Sequence, residues 1–452
     1  MIPRYASYRD PRSHLIATKD RVVRRFDDSG ASAFRSAAES GVLTGLVEDG
    51  LIAPYEIVSI EPLEVAAELI PFASYPNEWT AGMLRDAGLA TLSVARRLWK
   101  SGFHLRDASA YNIVFDGAKP VFVDLGSVGA GHTPSWSAYG QFCDHFLNPL
   151  LIATQLDVPT KEILGLEGVS ASVTSNLLYS FHRFGRGVLT NVKMRDRLEQ
   201  KHESDTLEQR ASVRRDLRLP PGAIDALMAK MERTLKRMTF GRDSHWVAYD
   251  GGNTYTNDQE EVRDAAIRRF AAASEPRAFA IDIGANTGRH SHILSESFST
   301  VVSIDSDPAA VEAHRERLIE THRGSGVFPM VGDLANPTPA QGFMNEERAS
   351  LIDRIANSDA AIWMAVIHHL SISRAIPLSG LAELAARLAP RHLVEFVGPE
   401  DPMAQLLSAG VNGEHHPYSV EVFENAFREH FAVEQVGQSQ EHRTIFELRR
   451  KL

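Results

Sequence analysis

From residue 241 to the C-terminus the chain alternates between short apolar runs and amphipathic stretches, and this alternation restricts the fold more than any other feature. AFAIDI, VVSID, FPMVGD, AAIWMAVI and HLVEFV have the length of buried strands and are bounded by turn residues or charged segments. Helix-length segments, beginning with EEVRDAAIRRFAAA, separate them. Strands joined by such crossovers pair in parallel, and the helices cover the faces of the sheet. FAVEQVGQS and TIFELRR end the chain close enough together for an antiparallel hairpin. The expectation for 241–452 is an α/β domain with a seven-stranded sheet, mostly parallel and closed by that hairpin.

The first half has no such alternation. HLIATKDRVVRRF reads as a hairpin around Lys19-Asp20, followed by a helical stretch from Ala31 to about Glu48 and a strand, LEVAAELIPF, ended by Pro71. From Glu78 to Gly102, Leu84, Leu89, Leu92, Ala95 and Leu98 recur at helical spacing. Mostly helical sequence runs on to about Lys201. Residues 195–220 are charge-dense and end in Pro-Pro-Gly, the composition of a domain boundary. A chain of 452 residues exceeds one ordinary core. The expected division is 1–203, a linker at 204–240, and 241–452.

Bulk composition narrows the function classes. With 48 basic and 58 acidic residues the formal charge is −10, which argues against a broad nucleic-acid footprint. Cys143 is the single cysteine, so no internal disulfide forms, and its type suits a small buried hydrophobe. The N-terminal MIPRYASYRDPRSHL lacks the apolar stretch of a signal peptide, and no window of 18 apolar residues occurs. The expected location is the cytoplasm.

FAIDIGANTGRHSHIL combines a strand, a glycine loop and a helix start. Gly284 and Gly288 permit a tight turn with close backbone approach to a ligand. VVSID ends in Asp305, placed to accept from ribose hydroxyls. VGDLANP carries Asp333 and Leu334 at the third strand tip, where an adenine edge is read. This set resembles the class I S-adenosylmethionine-dependent methyltransferases: D-I-G-A-N-T-G at 282–288 is similar to their first motif, with Asn286 where many members have a glycine. The resemblance covers 241–452. It implies a Rossmann-like fold, S-adenosyl-L-methionine as cofactor, and Asp282, Gly284, Asn286, Gly288, Asp305, Asp333 and Leu334 as cofactor-binding residues.

Methyl transfer is an in-line displacement in which the protein positions the nucleophile and removes a proton from a hydroxyl or ammonium acceptor. IWMAVIHHLSIS brings His368 and His369 to the acceptor side, at the end of the fourth strand. Adjacent strand residues face opposite ways, so one of the two is expected to face substrate. Glu395 in LVEFVGPED is a further catalytic candidate, with an ion-paired structural carboxylate as its alternative. NPTPAQGFMNEER (336–348) reads as a rigid loop on the acceptor side, and WVAYDGGNTYTND (246–258) as an aromatic lid or as surface packing.

HLRDASAYNIVFDGAKPVFVDLG poses a separate problem. Asp107 precedes Asn112 at the spacing of a kinase catalytic loop, and a hairpin delivers Asp124 of D-L-G beside it. In kinases the first Asp orients the acceptor hydroxyl, while the Asn and second Asp hold magnesium on ATP. The resemblance covers about 15–200 and implies an α+β kinase-like domain. Departures are plain: no glycine precedes Gly30, and RVVRRF offers Arg24 or Arg25 where a lysine belongs. The expectation is a degenerate kinase-like domain that positions substrate or regulates. The alternative is a bifunctional kinase-methyltransferase, with Asp107 catalytic and Asn112 and Asp124 holding Mg-ATP. Together the segments resemble bacterial two-part methyltransferases that include rhizobial host-specific nodulation proteins of methyltransferase type. That resemblance implies a saccharide or small-molecule acceptor.

Overall fold

The computed structural model describes residues 7–17, 21–178, 220–241, 255–275, 277–321, 326–409 and 416–451. The chain separates into two units. The first comprises Met1–Phe115, Lys119–Gly241 and Gln341–Arg348; the second comprises Asp116–Ala118, Arg242–Ala340 and Ala349–Leu452.

In the first unit β1 (Ser13–Ala17) and β2 (Arg21–Phe26) pair antiparallel, as the pattern of the hairpin requires. β3 (Tyr55–Ile60) and β4 (Leu63–Glu68) complete a sheet of order β1-β2-β4-β3. β3 escaped the sequence reading because YEIVSI, on the sheet edge, keeps most of its side chains exposed. The helical stretch after β2 is two helices, α1 (Asp28–Glu39) and α2 (Val42–Glu48), broken where Gly41 adopts φ +79°. Asp27 caps α1 by accepting from Gly30 N at 2.7 Å.

α3 (Ala81–Lys100) starts at Thr80, whose hydroxyl accepts from Met83 N, and it buries Leu84, Leu92, Ala95 and Leu98. Leu89 is only partly buried against that core. α4 (Pro221–Lys236) lies in the stretch expected to be a linker, yet Ile224, Met228, Met231 and Leu235 join the same core. Gly88 allows the close approach, since a Cβ there would come within 2.8 Å of Leu235 Cδ2. Arg96 closes the edge on Asp225 (2.9 Å) and Glu232 (2.6 Å). Three short segments follow α3: β5 (Phe103–Leu105), β6 (Ile113–Asp116) and β7 (Lys119–Phe122), the last two forming a hairpin. β8 (Val128–Ala130) then pairs with β5. The helical reading beyond Leu178 falls outside the described residues.

The second unit opens with α5 (Asn257–Ala272), entered through a capping box of Thr256 and Gln259. Its strands are β9 (Phe279–Ile283), β10 (Thr300–Asp305), β11 (Val327–Val331), β12 (Ala360–Met364), β13 (Arg391–Val397), β14 (Phe431–Gln440) and β15 (Arg443–Arg450). Their order is β11-β10-β9-β12-β13-β15-β14 in one seven-stranded sheet. β9 to β13 pair in parallel, and β15 pairs antiparallel with both β13 and β14. β10, β11 and β12 are buried at nearly every position, as parallel strands covered on both faces must be. This is the Rossmann-like arrangement expected for 241–452. The order reverses between β9 and β12, so the crevice beyond their carboxyl ends is where such a sheet receives a ligand.

Candidate functional site

The loop after β9 crosses that crevice. Gly284 has φ +73° and Gly288 has φ +83°, a region where only glycine is unstrained. Space imposes the same choice: a Cβ on Gly284 would lie 2.3 Å from Val366 Cγ2, and one on Gly288 2.0 Å from His314 Nε2. Asn286, at φ +47°, takes the left-handed conformation that asparagine tolerates. Backbone N–H groups of Gly284 and Ala285 donate to Ile304 O at 2.9 and 3.0 Å, tying the loop to β10.

Asp305 ends β10 and accepts from Asn286 N (2.8 Å) and Asp307 N (2.9 Å). Burial pushes its pKa up despite those donors. Asp333 follows β11, accepts from Ala335 N (2.9 Å) and pairs with Arg374 (3.1 Å). A cavity of about 370 Å³ opens here, and Gly284, Asn286, Asp305, Asp333 and Leu334 all line it. Gly288, at the head of α6 (Arg289–Ser295), sets the turn between wall residues Thr287 and Arg289.

Asp282 stands apart from that wall. It is wholly buried behind the loop, where Oδ2 accepts from Ser291 Oγ at 2.6 Å and Ser303 Oγ donates to Ser291 at 2.7 Å. Burial, and then the charge of Asp305, push its pKa up to about 7.

His368 and His369 require a correction. β12 ends at Met364, Ala365 turns the chain at φ +58°, and the two histidines begin a wide helical turn, His369–Ser373. Strand alternation therefore does not apply, and both rings line the cavity with centroids 4.1 Å apart. Burial holds His369 down to about 4 and His368 well below the usual histidine value, so both are neutral at physiological pH. His368 Nδ1 has no hydrogen-bond partner among the described residues.

Glu395, on β13, is fully buried and does not line the cavity. Its carboxylate pairs with Arg263 (3.1 Å) and accepts from Tyr255 Oη (3.1 Å) and Ser439 Oγ. Two guanidiniums approach the Tyr255 ring, Arg263 at 4.1 Å and Arg443 at 4.7 Å from its centroid. Arg443 is in turn anchored on Asp401 at 2.7 Å. Tyr255, Arg263 and Arg443 all reach the cavity wall. No motif announced the two arginines, because their partners Glu395 and Asp401 are distant from them in sequence. Tyr255 belongs to the segment 246–258 read as an aromatic lid or as surface packing; residues 246–254 of it lie outside the described residues.

The first unit has its own cavity, of about 380 Å³, and Asp107, Asn112 and Asp124 all line it. Asp107 Oδ1 accepts from Ser109 N (2.8 Å) and Asn112 Nδ2 (3.0 Å). Burial raises the Asp107 pKa, and the charge of Asp124 adds to it. Asp124 is met by Arg24 at 2.9 Å, whereas Arg25 turns away to Glu64 at 2.7 Å. Arg24 also donates to Ser13 Oγ at 2.7 Å, and Ser13 donates to Asp10 at 2.5 Å. Gly126 of D-L-G makes room for this cluster: a Cβ would come within 2.3 Å of Ser13 Oγ. From the 336–348 segment, Gln341 accepts from Tyr111 Oη (3.3 Å), Glu347 pairs with Arg9 (2.8 Å), and Arg348 lies over the Tyr111 ring.

No family model matches the chain. Among solved structures it is similar to magnesium protoporphyrin IX methyltransferase ChlM from Synechocystis PCC 6803, at 17% identity and TM-score 0.33, covering 46% of this chain and 93% of that one. It is also similar to the N-methyltransferase NodS from Bradyrhizobium japonicum WM9, at 16% identity and TM-score 0.31, covering 43% and 98%. WbdD matches at 14% identity and TM-score 0.32, covering 45% of this chain and 42% of that one. The nodulation protein NoeA of Rhizobium meliloti (strain 1021) is 30% identical over 435 residues, 93% of this chain and 90% of that protein. On that match, spanning both units, the chain belongs to the family of nodulation protein NoeA.

Proposed function

We propose that the protein is an S-adenosylmethionine-dependent methyltransferase, acting on a small molecule or glycan precursor. One observation carries the reading: a glycine loop and two strand-tip carboxylates, Asp305 and Asp333, line a single cavity at the switch point of the seven-stranded sheet. The cavity wall also suits a polar ligand. Asn286 Oδ1, His290 Nε2 and His368 Nδ1 are buried without hydrogen-bond partners among the described residues, and all three residues line it.

S-adenosylmethionine, when bound, supplies an electrophilic methyl group on its sulfonium sulfur. The protein's own contribution is positional. Gly284 and Gly288 hold the loop back so that backbone can approach the ligand, and Asp305 offers its carboxylate to the ribose hydroxyls. Asp333 and Leu334, on the same wall, would hold the base. His368 carries an available lone pair at Nδ1 and is neutral at physiological pH, so it accepts a hydrogen bond that orients the acceptor, while the burial that lowers its pKa makes it a weak base. Glu395 serves as a positioning residue, because its carboxylate is committed to Arg263, Tyr255 and Ser439 and fixes the first two at the wall.

The first unit positions the acceptor or regulates the second. Magnesium-dependent phosphotransfer is the weaker reading, since Arg24 already neutralises Asp124. The designation of the relative as a nodulation protein supports a small-molecule or saccharide acceptor. Calorimetry with S-adenosylhomocysteine tests the reading. Saturable binding, weakened at least tenfold in Asp305→Ala, is expected; absence of binding, or binding indifferent to Asp305, overturns it.

A further inference from the structure

The wall of the first unit's cavity carries five carboxylates and five guanidiniums among the described residues. Several are committed to one another: Arg9 to Glu347 (2.8 Å) and Glu167 (2.9 Å), and Arg24 to Asp124 (2.9 Å). A wall balanced in this way has no net charge with which to draw in an ion. It does set acceptor-only carboxylates beside donor-only guanidiniums, and a ligand hydroxyl both accepts and donates. His145 adds a neutral group to the same wall. It is 4% exposed, its Nδ1 has no hydrogen-bond partner among the described residues, and burial holds its pKa down to about 4. An aromatic pair stands beside this wall. Tyr8 and Phe343 stack with centroids 5.2 Å apart and planes 21° from parallel, and they are 50% and 47% exposed. Met344, next in the chain, is 64% exposed. Ser7 and Arg9, on either side of Tyr8, line the cavity. Phe343 N donates to Glu347 Oε1 at 2.8 Å, the oxygen that Arg9 also holds, so the rings and the polar wall are fixed to each other.

We propose that the first unit binds a neutral saccharide here, one sugar ring lying on Tyr8 and Phe343 with its hydroxyls turned to the charge-balanced wall and His145. A sugar ring has an apolar C–H face and a polar rim, which is the division between the aromatic pair and the cavity. Tyr8, Phe343 and Glu347 lie outside the Asp107, Asn112 and Asp124 set, so the binding needs no phosphotransfer chemistry. The inference rests on the reading above that the first unit positions the acceptor, and it names that acceptor's chemistry. The binding itself uses groups of the first unit alone.

Calorimetry of the full chain with cellotetraose, maltotetraose, mannotetraose and the N-acetylglucosamine tetramer tests the proposal. Saturable binding of at least one is expected, with an affinity that changes less than twofold between about 0.05 M and about 0.5 M salt, since no net charge drives it. Tyr8→Ala and Phe343→Ala should weaken it tenfold or more, and Phe343→Trp, which keeps an aromatic face, should restore it, separating a lost contact from a lost fold. Ile60→Ala, at a residue 70% exposed elsewhere on the unit, should bind as the parent does. Binding of none of the four, an equal loss in Ile60→Ala, or displacement of the saccharide by pyrophosphate in a salt-sensitive manner overturns the proposal. S-adenosylhomocysteine titrated into the same parent sample keeps the two readings apart. Its binding without any saccharide binding overturns this inference alone, and saccharide binding without it overturns the methyltransferase reading alone.

Discussion

Asp282→Asn tests the electrostatics behind the glycine loop without touching the cavity wall. Asp282 is wholly buried, with one oxygen bonded to Ser291 and Oδ1 lacking a hydrogen-bond partner among the described residues. Burial raises its pKa from 3.8 to about 7. A carboxyl raised in this way keeps its proton in the folded chain after the unfolded chain has released it. Its contribution to stability is therefore whole below about pH 4 and declines until about pH 7, the reverse of an ion-paired carboxylate. Across that interval, at about 1.4 kcal/mol per pH unit, the decline comes to about 4 kcal/mol. Asparagine cannot ionise, so the variant lacks this slope. For a domain of roughly 200 residues, 1 kcal/mol moves Tm by about 2–4 °C. Paired thermal melts should thus show the variant gaining on the order of 10 °C relative to the parent between about pH 4.5 and about pH 8. A melting difference that is the same at both pH values, or that favours the parent at the higher one, refutes the reasoning.

Glu395→Ala strands the Arg263 guanidinium in a buried position, and losing one partner of such a pair costs about 3–5 kcal/mol. Urea unfolding measures it, and a loss below about 1 kcal/mol would show that the pair is not what holds that wall. Gly288→Ala adds a Cβ 2.0 Å from His314 Nε2 at a backbone φ of +83°, where the strain alone is about 1–2 kcal/mol. S-adenosylhomocysteine affinity should fall tenfold or more by calorimetry, and an unchanged affinity would remove the loop geometry from the argument.

Much of the second unit was legible because its signals are local. A buried parallel strand is apolar at nearly every position, and the loop after it needs glycine for reasons of φ and space that no neighbour can alter. Asp305 and Asp333 could be placed because a strand tip is recognisable from the strand. The histidines show where that logic stops. AAIWMAVIHHL reads as continuous strand, but Ala365 at φ +58° ends it early, and so both rings turn to one cavity. Asp282 shows a second limit. The sequence locates the carboxylate in the motif, while its distance from the wall depends on Ser291 and Ser303, which lie on separate elements.

The same distinction explains the first unit. Spacing placed Asp107, Asn112 and Asp124 at one cavity, since a catalytic-loop interval and a hairpin are short-range features. Spacing could not say what stands opposite Asp124. RVVRRF left two arginines available, and sequence offers no preference between them. The pleat decides: neighbouring strand residues point to opposite faces, so Arg24 goes inward to Asp124 and Arg25 outward to Glu64. A one-residue slip of β2 against β4 would exchange the two, placing Arg25 on the cavity side and leaving Asp124 without its cation. Which arginine meets Asp124 at this cavity therefore depends on strand register.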